Sequence, residues 1–375
     1  MSFFQKLTAV MFYASLPLLI PFFYSLYNGD GGWVPIGMTI FILASPAVPG
    51  VIMSIFENIA NLIKHLLQPD AQFNYGSILN MAEMRKHVEM LTFGEIMALT
   101  SFAWLLIPTI ATIPYIYYGV EPVDAFFESV SSWTSTGLTA LKSVEVLPKS
   151  IILFRSVTQW IGGLGIVVLM LTIVKGKEAI SFLKAEGLSP SEVGIGKTVG
   201  MILKIYITLS ILGIAALYAL DIGLFDAVNL SLSGVSNGGS FPFDHYEFSN
   251  IQKIVLAMLM FAGATSFLFY RNISRGEFRK ALLDEEYLLY VSIIIAAIAL
   301  IYFIGGEEFF NTVLNTISSI ACGGYAIGDL SVMHAFPIYI LILLMLSGGM
   351  LGSTTGGIKL WRILVIIKAI LKHVK

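Results

Sequence analysis

Trp133-Thr134-Ser135-Thr136-Gly137, Ser236-Asn237-Gly238-Gly239-Ser240 and Ala321-Cys322-Gly323-Gly324-Tyr325 are three short glycine loops, each set between apolar segments of membrane length. Irregular backbone at membrane depth is tolerated only where protein buries it or where it lines a water-filled path. Its recurrence points to carbonyl oxygens grouped around an ion path. Three ordinary surface loops on glycine-rich connectors are the plain alternative.

The repeat shows in the spacing. Asp124-Ala125 begins 13 residues before Gly137, and Asp226-Ala227 begins 13 before Gly239. Ser129 and Ser131 match Ser231 and Ser233 in the same register. The third copy is looser and keeps Phe309-Phe310 and Ser318-Ser319 before Gly323. The run before each glycine is about 10 to 14 residues, too short to cross a bilayer. It fits a re-entrant half-helix whose C-terminal end, partly negative, faces the loop and favours a cation.

Composition sets the class. Hydrophobic residues make up 57% of the 375, charged residues 12%, and the mean hydropathy is +0.83. A soluble domain carries about 25% charge. The chain therefore reads as an all-α polytopic membrane protein. The first apolar stretch, 7–27, is too long for a signal-peptide core and lacks a small-x-small cleavage site, so it is expected to remain as a helix. The single cysteine, Cys322, excludes an internal disulfide. Eight apolar spans follow, roughly 7–27, 34–56, 92–118, 150–174, 199–221, 250–270, 286–304 and 336–372. With the N-terminus inside, 18 basic residues fall on the cytoplasmic side; only Lys142, Lys149, Arg155 and Lys253 fall outside. That asymmetry is a strong positive-inside signal and brings all three loops in from the outer side.

These residues resemble the Trk/Ktr family of potassium uptake proteins, in its TrkH-like branch. Phe127-Glu128-Ser129-Val130-Ser131 through Gly137 looks like the first filter segment, and Phe154-Arg155 with Gln159-Trp160-Ile161-Gly162-Gly163-Leu164-Gly165 is similar to the helix after it. Ser236-Asn237-Gly238-Gly239-Ser240-Phe241 looks like the second filter, and Ala321-Cys322-Gly323-Gly324-Tyr325 with Gly328 like the third. The resemblance runs from about residue 92 to the C-terminus, and 1–63 match the extra N-terminal helix pair of the Trk branch. It implies helix–re-entrant pore loop–helix units around a pseudo-fourfold pore, here 92–175, 197–271 and 285–375. Backbone carbonyls would replace the hydration shell of a transported potassium ion, and glycine lets successive carbonyls point inward. By that resemblance Gly137, Gly239 and Gly323 are the ring glycines. Thr136, Gly137, Asn237, Gly238, Gly239, Cys322, Gly323 and Gly324 are the expected ion-binding set.

The stretch Gly348-Gly349-Met350-Leu351-Gly352-Ser353-Thr354-Thr355-Gly356-Gly357-Ile358-Lys359 resembles the family's glycine-rich gating loop. It cannot be another filter. Only 33 residues separate Gly323 from Gly356, and a further repeat needs about 50. Its five glycines destabilise a continuous helix by about 1 kcal/mol each. Gly348, Gly349, Gly352, Ser353, Thr354, Thr355, Gly356, Gly357 and Lys359 are therefore read as a flexible strand beneath the filter; a helix-packing glycine face is the alternative.

The family uses four repeats and this chain holds three, ending 52 residues after Gly323. A C-terminally truncated chain is the expectation; a second polypeptide and a degenerate, non-conducting remnant are the other readings. Potassium uptake across the cell (cytoplasmic) membrane is the leading function, with a less selective sodium/potassium or ammonium pathway next. An intramembrane enzyme is disfavoured, because the span centres are nearly free of Asp, Glu, His and Lys. The five histidines (65, 87, 245, 334, 373) have no metal-ligand spacing. Residues 194–198 lack the first glycine and preceding strand of a phosphate loop. Asp244-His245, beside the second loop, could tune cation entry or be solvated vestibule. The resemblance implies a homodimer on a cytosolic ring of nucleotide-binding regulatory subunits. The basic inner loops suit such a ring or anionic membrane lipid. No organic cofactor and no nucleic acid is expected.

Overall fold

The computed structural model describes residues 3–47, 93–173, 195–328, 330 and 333–374, and among them every regular element is helical. The helices are α1 (Phe3–Ser15), α2 (Leu19–Asn28), α3 (Trp33–Ala44), α4 (Phe93–Ile110), α5 (Ile113–Tyr117), α6 (Pro122–Trp133), α7 (Lys149–Ile173) and α8 (Ile195–Tyr218). They continue with α9 (Leu224–Val235), α10 (Asn250–Gly263), α11 (Phe267–Ser274), α12 (Phe278–Leu282), α13 (Glu285–Gly305), α14 (Phe309–Ala321), α15 (Ala335–Ser347) and α16 (Leu360–Val374). The rest of the 34–56 span, and Lys64, Arg85, Lys86, Lys175, Lys177 and Lys184, lie outside the described residues.

Four described helices are long and apolar enough to cross a membrane: Phe4–Asn28, Gly94–Tyr117, Gly200–Tyr218 and Glu285–Gly305. A fifth arises if α10 and α11 count as one span, but they are bent by 92°. The expected 250–270 span is thus bent within its length. α10 starts on a capping box between Ser249 and Gln252, and Ser266 caps α11 by accepting from Leu268 N. A cap inside an apolar run starts a new helix in a new direction. The 336–372 segment, too long for one straight span and interrupted by glycines, forms two helices, α15 and α16, separated by the glycine-rich stretch.

The short helices α6, α9 and α14 have 12, 12 and 13 residues. At 1.5 Å per residue each reaches under about 20 Å, short of the hydrocarbon thickness. They pack inside the bundle: α6 on α4 and α7, α9 on α7, α8 and α10, and α14 on α10, α13 and α15. The N-terminal helices lean on α4 and α7. One apolar core joins these helices to α4–α7, and a second joins α8–α10 to α13–α15. Trp160 packs against both. This is a multi-pass, all-helical membrane protein built from repeated helix–re-entrant loop units.

Candidate ion pathway

The three half-helices end in the same way. Ser135, Asn237 and Cys322 are left-handed, with φ of 55°, 54° and 53°, and two residues later Gly137, Gly239 and Gly324 are left-handed too, with φ of 78°, 71° and 67°. The hydrogen bonds keep this register. Thr136 N donates to Ser131 O at 2.8 Å, Gly238 N to Ser233 O at 2.9 Å and Gly323 N to Ser318 O at 2.7 Å. The helix N-caps Glu121, Gly223 and Glu308 each lie 16 residues before the second left-handed position. Gly324, not Gly323, therefore stands in register with Gly137 and Gly239. The sequence offered two adjacent glycines there, and Cys322 taking the left-handed cap moves the match along by one.

The scaffold repeats as well. Ser129 Oγ donates to Pro108 O and Ser231 Oγ to Ser210 O, each across 21 residues. Glu128 and Asn315 occupy one register and hold the outgoing limb of their loops. Glu128 Oε1 accepts from Ala140 N at 2.7 Å and from Thr139 Oγ1 at 2.6 Å. Asn315 accepts from Ile327 N at 3.0 Å and donates to Ile327 O at 2.9 Å. Glu128 is fully buried, and its charge is met by Arg155 at 3.1 Å. Arg155 is thus an interior counter-ion and not an outer-surface charge.

Neighbouring loops meet backbone to backbone. A Cβ on Gly137 would overlap Gly238 O and come within 2.7 Å of its carbonyl carbon; one on Gly239 would overlap Gly323 O and reach Gly324 Cα at 2.5 Å. Ser135 Oγ bridges the first two loops by donating to Ser236 O at 2.9 Å. Tyr325 Oη reaches back to Leu230 O at 3.1 Å, and its ring lies 4.6 Å from that of Phe241. Among the described residues no donor reaches the carbonyl oxygens of Thr136, Gly137, Asn237, Gly239, Cys322, Gly323 or Gly324. Carbonyls left unpaired inside a membrane protein need a cation or water.

α7 supports this cluster through the Gln159–Gly163 stretch. A Cβ on Gly162 would overlap Trp133 O, and one on Gly163 would sit 2.6 Å from Ser236 Cβ, so these glycines let the first two half-helix ends approach. The side chain of Gln159 reaches the second loop.

The loops border a cavity of about 430 Å³ lined by Thr134, Ser135 and Thr136, by Asn237, by Cys322, and by Ser353–Gly356 and Lys359. All three loops and the glycine-rich stretch thus share one space. That stretch is not a slack strand. Met350 N donates to Ala264 O at 3.1 Å, Thr354 N to Gly263 O at 3.2 Å, and Phe267 N to Gly352 O at 2.9 Å, so two helix breaks satisfy one another. Gly349 N donates to Thr355 Oγ1 at 3.1 Å, and Lys359 Nζ donates to Thr355 O and Thr355 Oγ1. Glu286 Oε1 accepts from Leu351 N at 2.6 Å and Trp361 N at 3.0 Å, fastening both ends. Thr354 Oγ1 lies 2.8 Å from the amide of Asn237, which joins the stretch to the second loop. Gly348, Gly352 and Gly357 have positive φ; a Cβ on Gly357 would lie 2.7 Å from the Gly348 backbone, and one on Gly348 would overlap Gly356 O.

Asp244 accepts from Ser143 Oγ and from Val144 N at 2.8 Å, tying the exits of the first two loops together. The Ser143 hydrogen bond, with that from Val144, holds its carboxyl below the ordinary carboxylate range, so Asp244 is an anion at neutral pH.

The helical repeats and their converging re-entrant loops define a polytopic membrane protein of transport architecture. The chain belongs to the TrkH family, described as cation transport protein, which matches residues 83–290 and 300–375; this is a transporter family and not an enzyme family. The chain is 32% identical over 339 residues to an uncharacterized cation transporter of Methanocaldococcus jannaschii, covering 86% of this chain and 69% of that protein. It is 26% identical over 294 residues to the Trk system potassium uptake protein TrkH of Escherichia coli, covering 71% of this chain but 60% of that protein. The crystal structure of the potassium transporter TrkH from Vibrio parahaemolyticus superposes with a TM-score of 0.77 at 23% identity, over 100% of this chain and 77% of that one.

Proposed function

We propose that this chain forms the ion-conducting part of a Trk-type potassium uptake system in the cytoplasmic membrane, with its N-terminus inside. The observation that carries the reading is the convergence of three register-matched loops in which the carbonyls of Thr136, Gly137, Asn237, Gly239, Cys322, Gly323 and Gly324 have no donor among the described residues. Half-helices aim their negative ends at this point, which suits a cation. The pore units are 92–175, 197–271 and 285–375, and Gly137, Gly239 and Gly324 provide the ring positions, flanked by Thr136, Asn237, Gly238, Cys322 and Gly323. An inside-negative potential favours inward movement by about 2.3 kcal/mol per charge per 100 mV. A potassium-uptake-deficient cell expressing the full-length protein is expected to grow on low potassium. Growth no better than that of the empty host would contradict the reading.

The 348–359 stretch acts as the gate in this proposal, since its residues Ser353–Gly356 and Lys359 line the cavity that the three loops share. Lys359 both props Thr355 and places a cation in the ions' way. Lys359→Met is expected to raise rubidium uptake several-fold while the order of ion preference stays the same. A changed order with no rise in uptake would move this stretch into the filter. The native assembly is a homodimer on a cytosolic nucleotide-binding ring, as the family resemblance implies, set in lipid whose anionic head groups meet the basic inner loops.

A further inference from the structure

We infer that Gln159, which belongs to none of the three loops, is a positioning residue that sets the ion specificity of the second one; the inference rests on reading those loops as a filter. Gln159 is fully buried on α7. Its Nε2 donates to Gly238 O at 2.8 Å, and its Oε1 accepts from Ser233 Oγ at 2.6 Å. The same Ser233 oxygen accepts from Ser240 N at 2.7 Å. One amide therefore fixes both limbs of the loop, before and after Gly239.

The second loop needs this restraint. The Gly238–Gly239 peptide has no Cβ on either side and lies next to left-handed Asn237, so little else prevents it from turning over. The first loop has Thr136 at this register, whose hydroxyl is held by Thr134 Oγ1 at 2.7 Å. The third loop has a second Gly–Gly pair, but among the described residues no side chain donates to Gly323 O. Gly238 is also the residue that admits the pin, because a Cβ there would fall on the Gln159 amide. Filter selectivity depends on the number and field strength of oxygens presented to the ion. A carbonyl held by a buried amide keeps one direction, and without that amide it does not.

The test is competition by sodium against rubidium-tracer uptake, in proteoliposomes holding the full-length transporter. Gln159→Leu removes both bonds. Gln159→Glu keeps the outline and the acceptor for Ser233 but loses the donor to Gly238. Both are expected to lower the preference for rubidium over sodium about tenfold, the scale of one buried hydrogen bond lost. A purely structural role would lower uptake of all ions alike and leave the ratio alone. Gly239→Ala serves as the control. If it destroys the preference while both Gln159 variants keep it, the role of Gln159 is refuted and the filter stands. If none of the three moves the ratio, the filter reading itself fails. Should neither Gln159 variant reach the membrane, Ser233→Ala releases one of the two limbs and is expected to lower the ratio about threefold; an unchanged ratio there also overturns the inference.

Discussion

Gly239→Ala is expected to abolish selective potassium uptake while the protein still accumulates in the membrane. Its φ of 71° is a conformation that a Cβ disfavours. The larger obstacle is space, since the new methyl would overlap Gly323 O and meet Gly324 Cα at 2.5 Å, both of them backbone. The neighbouring loop would have to move, and its carbonyls with it. Gly137→Ala carries the same penalty against the second loop. The third loop separates register from mere glycine content. Gly324 has a φ of 67° and would press on the Gly238 and Gly239 backbone at 3.2 Å. Gly323 lacks the positive φ, and its Cβ would meet the Met260 thioether, a flexible group that can turn aside. Gly324→Ala should therefore cost more selectivity than Gly323→Ala. The potassium-to-sodium uptake ratio of the four variants checks this, and a milder effect at Gly324 than at Gly323 would undo the register.

Breaking the Glu128–Arg155 pair is expected to have the largest effect on stability. Their side chains are 0% and 3% exposed. Removing one partner strands a buried charge, at about 3–5 kcal/mol. Arg155→Leu and Glu128→Leu should each lower the thermal midpoint of the solubilised protein sharply. Combining them removes both charges, and the double variant is expected to recover much of the midpoint. It should not recover selectivity, because Glu128 also accepts from Thr139 and Ala140 and so shapes the exit of the first loop. A double variant as unstable as the worse single one would show that the pair does more than neutralise itself.

The sequence made the fold class and family legible because membrane-length apolar runs and left-handed glycines leave few alternatives. Gly137 and Gly239 were found by a shared 13-residue spacing from an Asp-Ala pair. The third loop has no such pair, and its left-handed cap falls on Cys322, a residue type that gives no warning of positive φ. The 92° break between α10 and α11 was hidden because Ala264-Thr265-Ser266 sits in an apolar run without proline. It is made possible by the 348–359 stretch, far along the chain, which satisfies the exposed backbone. Non-local partners explain the other differences. Arg155 reads as an outer charge until Glu128, 27 residues away, meets it. Gly238 shows no side-chain partner in the sequence until Gln159, 79 residues away, is seen to donate to its carbonyl.

The central claim is that the three converging loops select a monovalent cation on its way through the membrane. The most direct measurement is rubidium-tracer uptake into proteoliposomes containing the full-length protein, driven by an inside-negative potential, with potassium or sodium as competitor. The account predicts uptake that potassium suppresses at far lower concentration than sodium, and that loses this difference in Gly239→Ala. Uptake that is absent in the native protein, or that keeps its full ion preference in Gly239→Ala, would contradict it.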